Sequence, residues 1–291
     1  MMRTQKWTVL FLVLIGMILP GAVSAESGIS LYAEDEIAVM LGNRLSTTRQ
    51  MMEAETEALD AVAGRPDVAA LVTQQALIQG LEGYTDTDIR TDIQMLMPVC
   101  RNDLYLVCSR ETAETFGISD LSSLIQFLQE QPFELMLMRC FEASVTDYAA
   151  VRLFDAMDFG TETFADGVDC EENLDQGAYV LVADTEQAMK LMGKDAVVIG
   201  TLSEKRTAEF PQLPCAGEYG LPVCMGRVWA LYCSTDMEPD GMRDLMSATE
   251  LLTTEELAEL HCSPLTAEEY VFADVLQEYI DYMTAEGLFF Y

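Results

Sequence analysis

One histidine, two tryptophans and only 16 lysines and arginines stand against 49 acidic residues in this 291-residue chain, a formal charge of −33. Neutralising nucleic-acid phosphates takes a basic face, and none is present, so nucleic acid is excluded as a partner. A single histidine, His261, also removes most histidine-based catalysis and metal binding. Its neighbour Cys262 points about 100° away on a helix and forms no in-line dyad with it. No Cys-x-x-Cys, Gly-x-Ser-x-Gly or His-Glu-x-x-His occurs, which takes away the zinc-ribbon, thioredoxin, serine-hydrolase and zincin patterns. With 49 acids, any carboxylate pair is uninformative. No metal or cofactor is expected.

Long hydrophobic runs are also missing, except one. Arg3 and Lys6 precede an uncharged apolar stretch, Trp7 to Leu19, then Pro20 and the small residues Val23-Ser24-Ala25. This three-part order is that of a secretory signal peptide spanning residues 1–25, with cleavage after Ala25. As a helix the apolar stretch spans about 20 Å, short of the roughly 30 Å hydrocarbon core, so it is not a membrane anchor. No cysteine follows the cleavage point to carry lipid. The remaining chain is expected outside the cytoplasmic membrane, in the periplasm. Its eight cysteines are even in number, but about 105 full pairings exist and no pair is assigned; buried free thiols fit equally well.

What is present is apolar periodicity, in a chain half of whose residues are hydrophobic, which argues against disorder despite the charge. Ile37, Met40, Leu41 and Leu45 share a helical face behind the acids Glu34, Asp35 and Glu36. A helix from about Glu53 ends at Gly64. Val68 to Thr73 and Leu104 to Cys108 read as buried strands. Ser119 is placed to cap a helix that Pro132 ends. Strand Glu134 to Met138, helix Thr146 to Met157, strand Ala178 to Ala183, helix Thr185 to Met192 and strand Ala196 to Thr201 continue the alternation. Strand Val228 to Cys233 is followed by helices only, with capping-box spacings at Thr253/Glu256 and Thr266/Glu269. Alternating strands and helices imply open, mainly parallel sheets covered on both faces.

Residues Lys194 to Pro239 are more specific. The strand Ala196 to Thr201 leads to Lys205-Arg206, then Phe210-Pro211-Gln212-Leu213-Pro214, Gly220-Leu221-Pro222 and the strand Val228-Trp229-Ala230-Leu231-Tyr232. This order resembles the solute receptors of tripartite tricarboxylate transporters, the TctC or Bug family. The resemblance covers most of Glu34 to Leu288 and is weaker before Val68. It departs at the family's Gly-rich loops: only a short stretch precedes the first helix, a second loop near Met51 to Glu57 is missing, and Ser144-Val145-Thr146-Asp147-Tyr148 stands where Gly-Ser-Thr-His-His is usual.

The resemblance implies an α/β fold, a two-lobe type II (Venus flytrap) clamp with two open sheets. Residues 26–105 with 228–291 form one lobe and 106–227 the other. It also implies a non-enzymatic extracytoplasmic receptor for a small carboxylate or amino acid, delivered to the permease subunits of a tripartite tricarboxylate transporter. A sensing or scavenging protein without a transporter is the alternative; a secreted enzyme is the second. Ligand sits at helix N-termini, whose free N–H groups suit a carboxylate. The corresponding site residues are Tyr32, Asp35, Thr73, Gln74, Ser144, Thr146, Asp147 and Asp184. Structural roles compete at each: dipole compensation for Asp35, helix capping for Thr146, a solvated first turn for Asp147 and a turn for Asp184.

Overall fold

The computed structural model describes residues 29–33, 48–51, 55–74, 92–140, 144–164, 170–250, 252–266, 268–270 and 272–285. The signal segment, the first expected helix and Asp35 lie outside the described residues.

One strand organises everything else. β4 (Ile93–Ser109) is 17 residues long and belongs to two ladders. Its first part, through Asp103, pairs antiparallel with β9 (Met225–Ser234) and with the two-residue β10 (Ser263–Pro264). Its second part, from Leu104, pairs antiparallel with β7 (Tyr179–Asp184) on one side and, from Tyr105, with β8 (Ala196–Thr201) on the other. Beyond β9 the first sheet continues through β3 (Val68–Thr73), β1 (Ser30–Ala33) and β2 (Thr48–Met51), the last three mutually parallel. Beyond β7 the second continues through β5 (Met136–Cys140) and β6 (Gly160–Phe164), again in parallel. The orders are β2-β1-β3-β9-β4 and β6-β5-β7-β4-β8, the same pattern twice. In both, the parallel strands end toward the other sheet, as a two-lobe α/β clamp requires.

Helices cover both faces, because the strands are apolar on both sides. In the second sheet Leu104, Leu106, Val180 and Val182 pack with α3 (Leu121–Glu130) and α4 (Val145–Ala156). Tyr105, Val107, Leu181 and Ala183 pack on the opposite face with α6 (Thr185–Met192). In the first sheet Leu31, Leu71 and Leu231 meet α7 (Pro239–Thr249) and α8 (Thr254–Glu259), whereas Tyr32, Ala70 and Tyr232 meet α1 (Glu55–Val62). The short α2 (Arg110–Phe116) and α5 (Cys170–Asn173) and the C-terminal α9 (Phe272–Ala285) complete the described α-helices, beside a 3-10 turn at Ala216–Tyr219.

Several boundaries move. α3 is capped by Asp120 rather than Ser119: the Asp120 carboxylate accepts from Ser123 N while the Ser123 hydroxyl closes the box. The Thr253/Glu256 box forms as expected. At Thr266 the hydroxyl and amide do bond Glu269, but they close a turn, and the helix starts at Phe272. Six cysteines, at 100, 108, 215, 224, 233 and 262, are buried free thiols. Burial pushes the Cys108 thiol up to about 12 and Cys224 to about 11, so both are inert in the fold.

Candidate functional site

A cavity of about 320 Å3 lies where the two sheets meet, within the size range of small-molecule sites. The first turn of α6 supplies Asp184, Thr185 and Glu186; β9 supplies Arg227 and Trp229; β4 supplies Asn102; residues 259–262 close it. Each is placed by a local rule. Asp184 is the N-cap of α6, its Oδ1 accepting from Gln187 N at 2.9 Å while the Gln187 side chain bonds back to the Asp184 amide. Thr185 donates its hydroxyl to the Asp103 carbonyl at 3.4 Å, tying α6 to the crossing strand. Arg227 donates its backbone N–H to Asn102 Oδ1 at 2.6 Å, which leaves its side chain half exposed over the cavity. Trp229 is the apolar wall, 8% exposed, in register with Thr73 and Cys100.

The charge is mixed. Arg227 Nη2 stands 3.7 Å from Asp184 Oδ2, a loose pair. His261, in left-handed backbone (φ 54°) just past α8, faces Glu209 at 3.7 Å. Asp103, at the crossing point, is 9% exposed; burial holds its carboxyl above the usual range, Arg101 partly offsets this and Glu209 adds to it. Tyr105 beside it is raised to about 12, chiefly by burial, and its hydroxyl donates to Thr207.

Of the seven sequence-derived candidates among the described residues, Asp184 alone lines this cavity. Tyr32 packs in the first sheet's core, with its hydroxyl accepting from Arg65 at 3.2 Å. Thr73 is buried at the end of β3 opposite Trp229. Gln74 is a clamp between strands: Nε2 donates to the Gly226 carbonyl at 2.7 Å and Oε1 accepts from Val228 N. Ser144 is the N-cap of α4, accepting from Asp147 N at 3.1 Å, and Thr146 Oγ1 lies 3.2 Å from its hydroxyl. Asp147 is buried rather than solvated. Arg139 grips it with two 3.0 Å bonds, and the Tyr282 hydroxyl donates to Oδ2. Tyr148 packs against Tyr279 (ring centroids 4.7 Å apart, tilted) and edge-to-face on Tyr282 (5.4 Å) of α9, and Tyr279 reaches Gln74. This cluster sits on the α4 face of the second sheet, opposite the α6 face that borders the cavity.

Sequence reading missed Arg227, one residue before the strand it identified, although a basic residue in so acidic a chain is itself a signal. It passed over His261 for want of a catalytic partner. Arg139 carried no pattern at all.

No family model matches the chain, and no curated protein matches it in sequence. Solved structures do match. A TctC solute-binding protein from Polaromonas, without ligand, superposes with a TM-score of 0.65 at 15% identity, covering 89% of this chain and 96% of that one. The periplasmic binding protein BugD gives 0.60 at 13%, covering 89% and 97%. MatC from Rhodopseudomonas palustris, solved with bound malate, gives 0.57 at 15%, covering 89% and 98%. The chain therefore has the two-lobe fold of TctC- and Bug-type binding proteins across nearly their whole length.

Proposed function

We propose that this protein is an extracytoplasmic receptor, periplasmic in location, that captures a small carboxylated metabolite between its lobes and delivers it to a tripartite-tricarboxylate-type permease. The lobes in this reading are residues 26–105 with 228–291, and 106–227, hinged where β4 passes from the first sheet to the second beside the start of β9. The observation that carries it is the cavity at that hinge, with Arg227 half exposed as a carboxylate partner and Trp229 as an apolar wall. Both sheets contribute lining residues, so ligand binding favours the arrangement in which they approach. The fold it shares with a malate-bound protein supports the ligand class. The absence of the Gly-x-Ser-x-Gly and His-Glu-x-x-His motifs in the sequence supports binding rather than turnover.

Thermal shift and calorimetry on the chain from Glu26 onward, against di- and tricarboxylates, amino acids and aromatic acids, test this. A ligand at a hundredfold excess over its Kd stabilises by about 2.7 kcal/mol, a rise of roughly 5 to 10 °C in Tm. Arg227→Gln is expected to weaken a hit at least about tenfold. A panel without a single carboxylate hit sinks the reading.

A further inference from the structure

We propose that α9 is a strap across the two lobes, whose grip on α4 holds them together without help from a ligand. This goes beyond the receptor reading: it needs only the two-lobe fold and stands whatever the ligand is. The chain entering α9 is fastened to the first sheet. β10 pairs with β4, and the buried Tyr270 packs with Val228 of β9 and with Leu265. The side chains of α9 then meet the second lobe. Tyr282 donates its hydroxyl to Asp147 Oδ2, and Tyr148 donates to Glu278. Arg152 reaches the Tyr148 hydroxyl at 3.1 Å and Glu278 at 3.4 Å, and the Tyr148 ring lies against Tyr279 and Tyr282. Tyr279 touches both lobes, since it also reaches Gln74, the residue after β3.

Burial separates the contacts that grip from those that decorate. Arg152 and Glu278 are about half exposed, so their pair adds little. Asp147, Tyr279 and Tyr282 are 3%, 4% and 6% exposed. Arg139 holds Asp147 from within the second lobe. Lifting α9 therefore takes one donor from a buried carboxylate and uncovers two tyrosine rings, while both sheets stay paired. Such an opening costs more than the fraying of a surface loop and less than unfolding. These contacts lie on the α4 face of the second sheet, whereas the cavity borders the α6 face, so the strap fastens the lobes from the side opposite the cavity. A clamp already held together binds its ligand without a separate closing step.

Cys224 is a native reporter of this junction. Its thiol is 4% exposed, and the charges of Arg152 and Glu278 act on it, as it acts on Tyr279. Cys108 lies in the core of the second sheet and Cys100 in that of the first.

Labelling by a small thiol reagent, followed cysteine by cysteine with mass spectrometry on the chain from Glu26 onward, decides it. In the wild type Cys224 is expected to label faster than Cys108 and Cys100, and with a weaker dependence on urea, because it is reached without unfolding. Tyr282→Phe combined with Glu278→Ala is expected to speed Cys224 labelling about tenfold or more, the ratio a charged hydrogen bond provides. Cys108 and Cys100 are expected to keep their rates, and X-ray scattering to show a larger radius of gyration. An unchanged Cys224 rate in the variant, or equal acceleration of all three thiols, overturns the strap and makes α9 an ordinary part of the packed core. If the variant does not fold, the wild type still decides: equal rates and equal urea dependence at Cys224 and Cys108 overturn the proposal. None of these outcomes bears on the carboxylate receptor, which the ligand panel tests separately.

Discussion

Asp103 shows how one residue at the crossing of two lobes trades stability for position. Its carboxyl is buried and its pKa lies above the ordinary 3.8, with desolvation the largest cause and Arg101 an incomplete offset. The folded state thus holds this proton more tightly than the unfolded chain. Stability from this group is full below 3.8 and is lost as pH rises through the raised value. Asp103→Asn is therefore expected to raise Tm at pH 7, with the gain shrinking as pH falls toward 3.8; an equal gain at both pH values, in scanning calorimetry, would show that burial of its charge is not the cause. Asp147 is the opposite case. It is more deeply buried, but Arg139 and Tyr282 supply three donors, so its charge is matched. Sequence identified Asp147 as a polar residue of interest, yet nothing near it announces Arg139 on β5 or Tyr282 on α9, which arrive through tertiary packing.

At the scale of elements, the crossing strands are locked by close approach. A Cβ at Gly226 would stand 2.2 Å from Asn102 Oδ1 and 2.7 Å from the Asn102 carbonyl oxygen, while Gln74 holds the Gly226 carbonyl from the other side. The Asn102 backbone and two buried amides, Asn102 and Gln74, leave no room to shift. Gly226→Ala is expected to cost about 3 kcal/mol in urea denaturation, at the upper end of overpacking effects; a loss under about 1 kcal/mol would mean that β4 and β9 slide freely. Elements that carry their own signals were legible: α6 and β8 fall where the alternation puts them, and the α8 cap is local. The missed ones are β2, β6, the first half of β4, the short β10 and the short helices α2 and α5. β2 (Thr-Arg-Gln-Met) and β6 (Gly-Thr-Glu-Thr-Phe) are edge strands with polar residues, which present no apolar run. In β4 the polar Arg101-Asn102-Asp103 interrupts the pattern because that is where the strand leaves one core for the next.

For the whole molecule, the net charge sets the response to salt. Like charges on a folded surface repel, and a Debye length that falls from about 30 Å at 0.01 M to about 8 Å at 0.15 M screens them. Tm is expected to rise by about a few degrees over that interval, measured calorimetrically without ligand; a fall would show that attractive pairs outweigh the excess of acids. The fold class was legible from alternation and from one ordered C-terminal segment. The cavity was not, since Asn102, Asp184, Arg227 and His261 meet only after two sheets form, and no spacing rule spans that distance.

The place of β9 between β3 and β4 has a further consequence, for the order in which the chain is made. β3 and β4 do not pair with each other; both wait for Met225–Ser234, which leaves the ribosome only after the second sheet's strands have all been synthesised. Until then the first sheet has an open slot, and its share of β4 has no β9 to hold it. A nascent chain therefore cannot close its first sheet until β9 has been made, whereas the second sheet's partners are all in place before that.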